Sequence, residues 1–264
     1  RILYRRALYR GDQMQIELFV AGHRLVPRLP PSFVFSSIPM INHCAMRGDK
    51  ESIATLLQKG YGWNKMTMVR AVSGGHTALI PWLVQENCPW SNNLLGVVGM
   101  YCSLAEVIRI RELGCPWDTL TYVGPARKGK IDILIWLNFS GCPWEERTLS
   151  DSITKDNLEV IQWMRASGCP WDPVAPTQAS LQKAWSTLRY LRKEGCPWGE
   201  GTWGGAIRHQ HWETLEWLRE QECPWSPRTV LYAAQRQLFE VVKWLIEQGC
   251  PIQDGGQVAG EVAK

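Results

Sequence analysis

Apolar positions along this chain follow helical spacing within a short unit, and the whole pattern restarts every 27 residues. A threonine marks the unit at Thr67, Thr121, Thr148, Thr202 and Thr229, with Leu94 and Ala175 standing in for it twice. Four residues on comes a small column: Ala71, Val98, Ser152, Ala179, Ala206 and Ala233, with Pro125 as the exception. Ten on the residues are mostly large and apolar: Leu104, Ile131, Leu158, Trp185, Trp212 and Phe239, with Thr77 deviating. Thirteen on they are aliphatic throughout (Ile80, Val107, Leu134, Ile161, Leu188, Leu215, Val242). Sixteen on they are apolar again (Leu83, Ile110, Leu137, Met164, Leu191, Leu218, Leu245). Steps of three residues keep to one face of a helix. A period of this length means stacked repeats. The pattern predicts two helices per unit, for example about 119–128 and about 131–140. The fold class is then all-α, a solenoid of about eight or nine stacked antiparallel helix pairs.

Each unit closes on a corner. Cys-Pro-Trp begins at Cys88, Cys115, Cys142, Cys169, Cys196 and Cys223, and Cys250-Pro251-Ile252 keeps the step without the tryptophan. Tyr61-Gly62-Trp63 is a degenerate earlier copy. Gly114, Gly141, Gly168, Gly195 and Gly249 precede the cysteine, where a helix C-terminus favours a left-handed residue. The residue after the corner is Asn64, Ser91, Asp118, Glu145, Asp172, Gly199 or Ser226, mostly good N-caps. Pro173 and Pro227 then fall at the first helical position. Pro81 and Pro125 lie inside predicted helices and should kink them. Trp63, Trp90, Trp117, Trp144, Trp171, Trp198 and Trp225 are expected to fill the gap between units, and the seven corner cysteines to be small residues of the core. A second aromatic series, Trp82, Trp136, Trp163, Tyr190, Trp217 and Trp244, runs along the second helix and is broken by Arg109.

Nine cysteines invite a disulfide or zinc reading, and their spacing argues against both. Seven sit one per unit, and stacked helices lie roughly 8–10 Å apart, whereas a disulfide needs Cα atoms within about 7 Å. No Cys-x-x-Cys pair occurs. Buried free thiols suit a reducing, intracellular compartment, the cytoplasm first. The net charge of +4 and pI of about 8.6 are too mild to argue for nucleic acid. No apolar run is long enough for a membrane span, and the N-terminus has no signal-peptide layout.

The pattern resembles the ankyrin repeat. The matches are Thr67…Ala71…Gly75-His76, then Leu158-Glu159-Val160-Ile161…Met164…Gly168-Cys169. A third copy is Phe239-Glu240-Val241-Val242-Lys243-Trp244-Leu245…Gly249-Cys250. The usual ankyrin unit has about 33 residues. The shorter unit here lacks the stretch where ankyrins build a hairpin finger, and so looks like a divergent Gly-Cys-Pro-Trp-Asp class. The resemblance implies protein–protein recognition.

The organisation read from the chain is a degenerate N-terminal capping repeat with a Pro-rich insertion over 1–39, the array over 40–252, and a half-repeat cap or truncated end over 253–264. Arg10-Gly11-Asp12 echoes Arg47-Gly48-Asp49, and the insertion falls between His23 and Pro39. Phe33, Val34 and Phe35 in it are a candidate partner anchor, with a mobile insertion as the plainer alternative.

Nothing in the sequence assembles a catalytic or cofactor site. His209-Gln210-His211 reads as exposed turn rather than metal ligand, and Gly201-Thr202-Trp203-Gly204-Gly205 lacks the phosphate-loop ending. Gly204 and Gly205 read as residues that merely weaken a first helix. Asp132, Glu159, Glu213 and Glu240 open second helices, and Arg111, Arg165, Arg192 and Arg219 close them, as a helix dipole favours. A basic set ends the first helices: Arg127, Lys128, Lys155, Arg208 and Arg236, with Lys130 and Lys183 in the turn. Two columns could carry a base-reading code: Arg70, Val97, Gly124, Asp151, Gln178, Gly205, Tyr232, and Ser73, Met100, Arg127, Thr154, Leu181, Arg208, Gln235. Neither is chemically consistent. The expectation is a non-enzymatic adaptor or scaffold without cofactor or metal. It would bind another protein, an acidic surface suiting the basic edge, and neither nucleic acid nor a small-molecule substrate. Its contact set would be Met100, Tyr101, Arg127, Lys128, Lys155, Arg208, His209, Tyr232 and Arg236. A permanent subunit of a large assembly and a nucleic-acid-binding helical repeat are the alternatives.

Overall fold

A computed structural model describes residues 38–252 apart from Asp156. The proposed N-terminal repeat and the anchor at Phe33, Val34 and Phe35 lie outside the described residues, as does the segment from 253 onward. Among the described residues there are eight helix pairs and no strand. The first helices of the pairs are α1 (Ile38–Arg47), α3 (Met66–Ser73), α5 (Leu94–Tyr101), α7 (Val123–Arg127), α9 (Thr148–Ser152), α11 (Ala175–Leu181), α13 (Trp203–Arg208) and α15 (Pro227–Gln235). The second helices are α2 (Lys50–Gln58), α4 (Ile80–Gln85), α6 (Leu104–Glu112), α8 (Ile131–Phe139), α10 (Leu158–Ala166), α12 (Trp185–Lys193), α14 (Trp212–Glu220) and α16 (Phe239–Glu247). Short 3-10 turns lead into α4, α7 and α13. The described residues form two compact units, which divide between Trp117 and Asp118. In the first, α1, α3 and α5 stack in order; in the second, α7, α9, α11, α13 and α15 do.

Local chemistry fixes these boundaries. The anchor threonine lies three residues beyond the residue that follows the corner, and its hydroxyl accepts from that residue's N–H. The bonds are Asp118 to Thr121 (3.0 Å), Glu145 to Thr148 (3.0 Å) and Ser226 to Thr229 (3.2 Å). Asp118 and Ser226 return the bond and complete capping boxes. The glycine before each corner cysteine has a positive φ, reaching +92° at Gly114 and Gly168. Asn87 (+60°) and Glu222 (+55°) take that conformation where the sequence offers no glycine. Pro227 opens α15 as expected, but Pro173 lies outside its helix, because α11 starts at Ala175 with Pro176 in its first turn. Nor do Pro81 and Pro125 kink continuous helices. A 3-10 turn precedes each α-helix, and Pro81 occupies the first turn of α4, where a missing N–H costs nothing. Pro39 lies within α1, so the end of the expected insertion is already helical.

The aliphatic columns thirteen and sixteen residues after the anchor are buried throughout, as is the small column. The column ten residues after it is not core. Its members are half-buried or exposed, Trp212 and Phe239 among the latter, because they start the second helix at the rim of the stack.

The corner cysteines are all buried, and all nine cysteines are free thiols. A regular bond locates them: Cys142 donates to the Asp118 carbonyl (3.5 Å), Cys196 to Asp172 (3.6 Å), Cys223 to Gly199 (3.8 Å) and Cys250 to Ser226 (3.6 Å). Each thiol thus ties its corner to the capping residue one unit back. Burial pushes the thiols of Cys88, Cys115, Cys169 and Cys223 up from 9.0 to about 12. A pKa raised on folding stabilises the native state fully below the unfolded value. That contribution fades as pH climbs from the unfolded value towards the folded one. The urea midpoint is therefore expected to fall between about pH 8 and about pH 10.5, and to fall less when Cys169 and Cys223 are both replaced by Ala.

The corner tryptophans are only half-buried, which corrects the expectation of fully sunken fillers. Arginine covers one face of four of them. Arg111 lies over Trp117 (4.2 Å), Arg165 over Trp171 (3.7 Å), Arg192 over Trp198 (4.4 Å) and Arg219 over Trp225 (5.0 Å). Arg111 also donates to the Cys115 carbonyl (3.0 Å), and Arg165 to that of Cys169. Arg111 and Arg165 thus cover a ring and bind a corner carbonyl, in addition to sitting at a favourable helix end. Their inner neighbours are aromatic. Trp144 stacks on Tyr122 (4.5 Å, 11°) and meets Trp163 at 6.2 Å, while Trp225 stacks on Trp203 (5.1 Å, 26°).

Candidate functional site

Of the expected contact residues, Met100 and Tyr101 belong to α5 in the first unit, with Tyr101 exposed. The other seven belong to the second unit. Arg127 ends α7 and Lys128 follows it; Lys155 follows α9; Arg208 ends α13; Arg236 follows α15. All five cations are exposed, and none forms an ion pair among the described residues. Since α7, α9, α11, α13 and α15 stack successively, these helix ends place the charges along one edge. Arg127 Nε donates to the Asp151 carbonyl of the next pair (2.9 Å), which fixes the near end of the row. There Arg127, Lys128 and Lys155 surround a recess of about 360 Å³, completed by Gly129, Thr154 and Asn157. Asn157 is buried and fully engaged: its amide nitrogen donates to the Ala126 (3.3 Å) and Ser152 (2.7 Å) carbonyls, and its oxygen accepts from Thr154 N–H (2.8 Å).

His209 and His211 are half-buried and do separate structural work, which corrects their reading as exposed turn. His211 caps α14 by accepting from Thr214 N–H (3.3 Å), and its ring lies 4.6 Å from that of Trp185. His209 Nε2 is 3.2 Å from the Leu181 carbonyl. Among the described residues, no group of three or more His, Cys, Asp or Glu is gathered around a common point.

A second concavity escaped the sequence reading. Leu181 of α11, Trp203, Gly204 and Ile207 of α13, and Thr229 and Tyr232 of α15 line a recess of about 340 Å³. Glu200, Gly201 and Arg228 complete it. Tyr232 also carries the Arg236 guanidinium over its ring at 4.7 Å. The signal was present but split between columns, since Leu181 and Tyr232 belong to the two columns that showed no chemical consistency. The column containing Tyr232 is also less open than expected, because Gly205 in it is buried.

No family model and no curated protein matches the chain. Solved structures do. The pentatricopeptide repeat protein PPR10 from maize aligns at 14% identity and a TM-score of 0.43, over 97% of this chain and 44% of that one. The same repeat protein in complex with an 18-nt psaJ RNA element aligns at 12% identity and a TM-score of 0.34, over 98% and 50%. A cysteine-to-serine variant of it with that RNA element gives the same values. The chain thus spans half or less of these proteins, and the likeness is one of helical-repeat architecture. The expectation from the sequence was another protein as partner with nucleic acid set aside, whereas two of these matched structures hold RNA. Among the described residues no helix is long and apolar enough to cross a membrane.

Proposed function

We propose that the second unit is a non-catalytic helical-repeat module that binds single-stranded nucleic acid along its basic edge. The observation that carries this reading is the row of Arg127, Lys128, Lys155, Arg208 and Arg236, exposed at successive helix ends and without carboxylate partners among the described residues. A helix dipole accounts for cations at these ends. It does not require that all five stay unpaired on one edge, as a polyanion would exploit. The absence of a base-reading column points to recognition of the backbone, with little dependence on sequence. The repeat itself is proposed as a short ankyrin-like unit, supported by the anchor threonine, the small column and the left-handed glycine. The buried, neutral thiols support a reducing compartment.

Fluorescence anisotropy with a labelled 20-nt RNA tests the reading. Five phosphate contacts on a single strand give a log–log salt slope near −3.5, or a roughly 100-fold loss between about 50 and 200 mM salt. Reversing the charge at Arg127, Lys128, Arg208 and Arg236 together is expected to abolish binding. A wild-type chain that fails to bind at low salt, or a reversed variant that binds as well, overturns it.

A further inference from the structure

We infer that the recess between α11, α13 and α15 takes one nucleobase of the strand that the basic edge holds. The inference rests on the proposed function and adds a second kind of contact to it. The recess presents Leu181 and the Tyr232 ring beside the fully buried Trp203 and Ile207, and the exposed Glu200 and Arg228 also line it. That is the division a base requires. Its faces stack on aromatic or aliphatic surface, while its edge exchanges hydrogen bonds with a donor and an acceptor. Arg228 supplies donors and Glu200 acceptors at the same opening.

The volume of about 340 Å³ is open in part because Gly204 forms part of its wall. A Cβ on Gly204 would come no nearer than 3.9 Å to the Tyr232 ring, so a side chain there would extend into vacant space. Charge selects the occupant. The two helices that build most of the recess also end in Arg208 and Arg236, so an apolar planar group inside would have cations placed for its flanking phosphates. Tyr232 connects the two features, lining the recess while its ring lies under Arg236 at 4.7 Å. An uncharged aromatic ligand would gain nothing from those cations, and a phosphate alone would gain nothing from the rings.

Two RNA-length probes separate the contacts: a 12-nt oligonucleotide and an abasic 12-mer with the same phosphates. The wild-type chain is expected to bind the first about 5- to 150-fold more tightly, the range for one stacked base. In Gly204→Leu, which fills the recess and leaves every cation in place, that gap should shrink below about twofold, as it should in Tyr232→Ala. Circular dichroism melts confirm folding, and if Tyr232→Ala unfolds, Gly204→Leu alone decides. Equal wild-type affinity for both probes overturns the base recess and leaves the basic edge standing. A gap that persists in folded Gly204→Leu also overturns it. Failure of both probes to bind wild type overturns the proposed function itself.

Discussion

Replacing Gly205 by Ala is expected to destabilise the second unit by about 3 kcal/mol, whereas Ala at the adjacent Gly204 should stabilise it by about 0.5–1 kcal/mol. The two glycines share one helix and one intrinsic propensity. In an open site the added methyl favours the helix by relieving glycine's backbone entropy. Gly204 is such a site, with only the Tyr232 ring near, at 3.9 Å. Gly205 is not. Its Cβ would lie 2.1 Å from the Ser180 carbonyl carbon and 2.3 Å from the oxygen, both backbone atoms of α11 that no rotamer change can move. Relief requires α11 and α13 to separate. Separation also stretches the bond from Ala206 N–H to Ser180 Oγ, now 3.0 Å and fully buried. Thermal melts of the two single variants check the sign. A stabilising Gly205→Ala would refute this close approach of the two helices.

Trp144→Ala is expected to cost about 3 kcal/mol and roughly 10 °C in melting temperature. A fully buried tryptophan would set the upper end of the large-to-small range, near 5 kcal/mol. Trp144 is half-buried, so the area term shrinks, while the stacked contact with Tyr122 and the tilted contact with Trp163 remain to be lost. The change also unroofs Tyr122, a fully buried ring whose hydroxyl donates to the Cys142 carbonyl at 2.9 Å. Phe at 144 restores a stacking ring and should recover about half of the loss. Differential scanning calorimetry of Trp144→Ala and Trp144→Phe measures both, and an unchanged melt in the alanine variant refutes the filler role.

The repeat made the helix pairs legible because each column samples the same environment seven times. Noise at Thr77 or Pro125 therefore could not hide the period. Caps were legible for a local reason: the Asp118 and Ser226 boxes depend on residues three apart. What stayed hidden depends on distance across the stack. Gly205 looked like a weak helix former, because only the backbone of a helix some 25 residues away explains it. The arginines at the helix ends looked like dipole partners, because stacking on a ring six residues on needs the corner's geometry. One clue did lie in the chain. Arginine stands six residues before the corner tryptophan in four units, although Val84 and Asn138 hold that position before Trp90 and Trp144. The candidate site was half legible. The basic residues were found as a column, but the Leu181–Tyr232 recess draws on three helices and no single column contains it.

The thiol-to-carbonyl links have a kinetic meaning. Each joins residues 24 apart, Tyr122 reaches Cys142 over 20, and the longest return, Arg109 to Thr77, spans 32. Within each unit these native links therefore close loops of almost constant, modest length. Loop-closure entropy grows only with the logarithm of that length, so no late step has to gather remote segments. Low contact order of this kind favours fast folding. It also lets structure propagate from any neighbouring pair that forms first. A growing chain can lock each corner once about one further repeat has been made, long before its end exists.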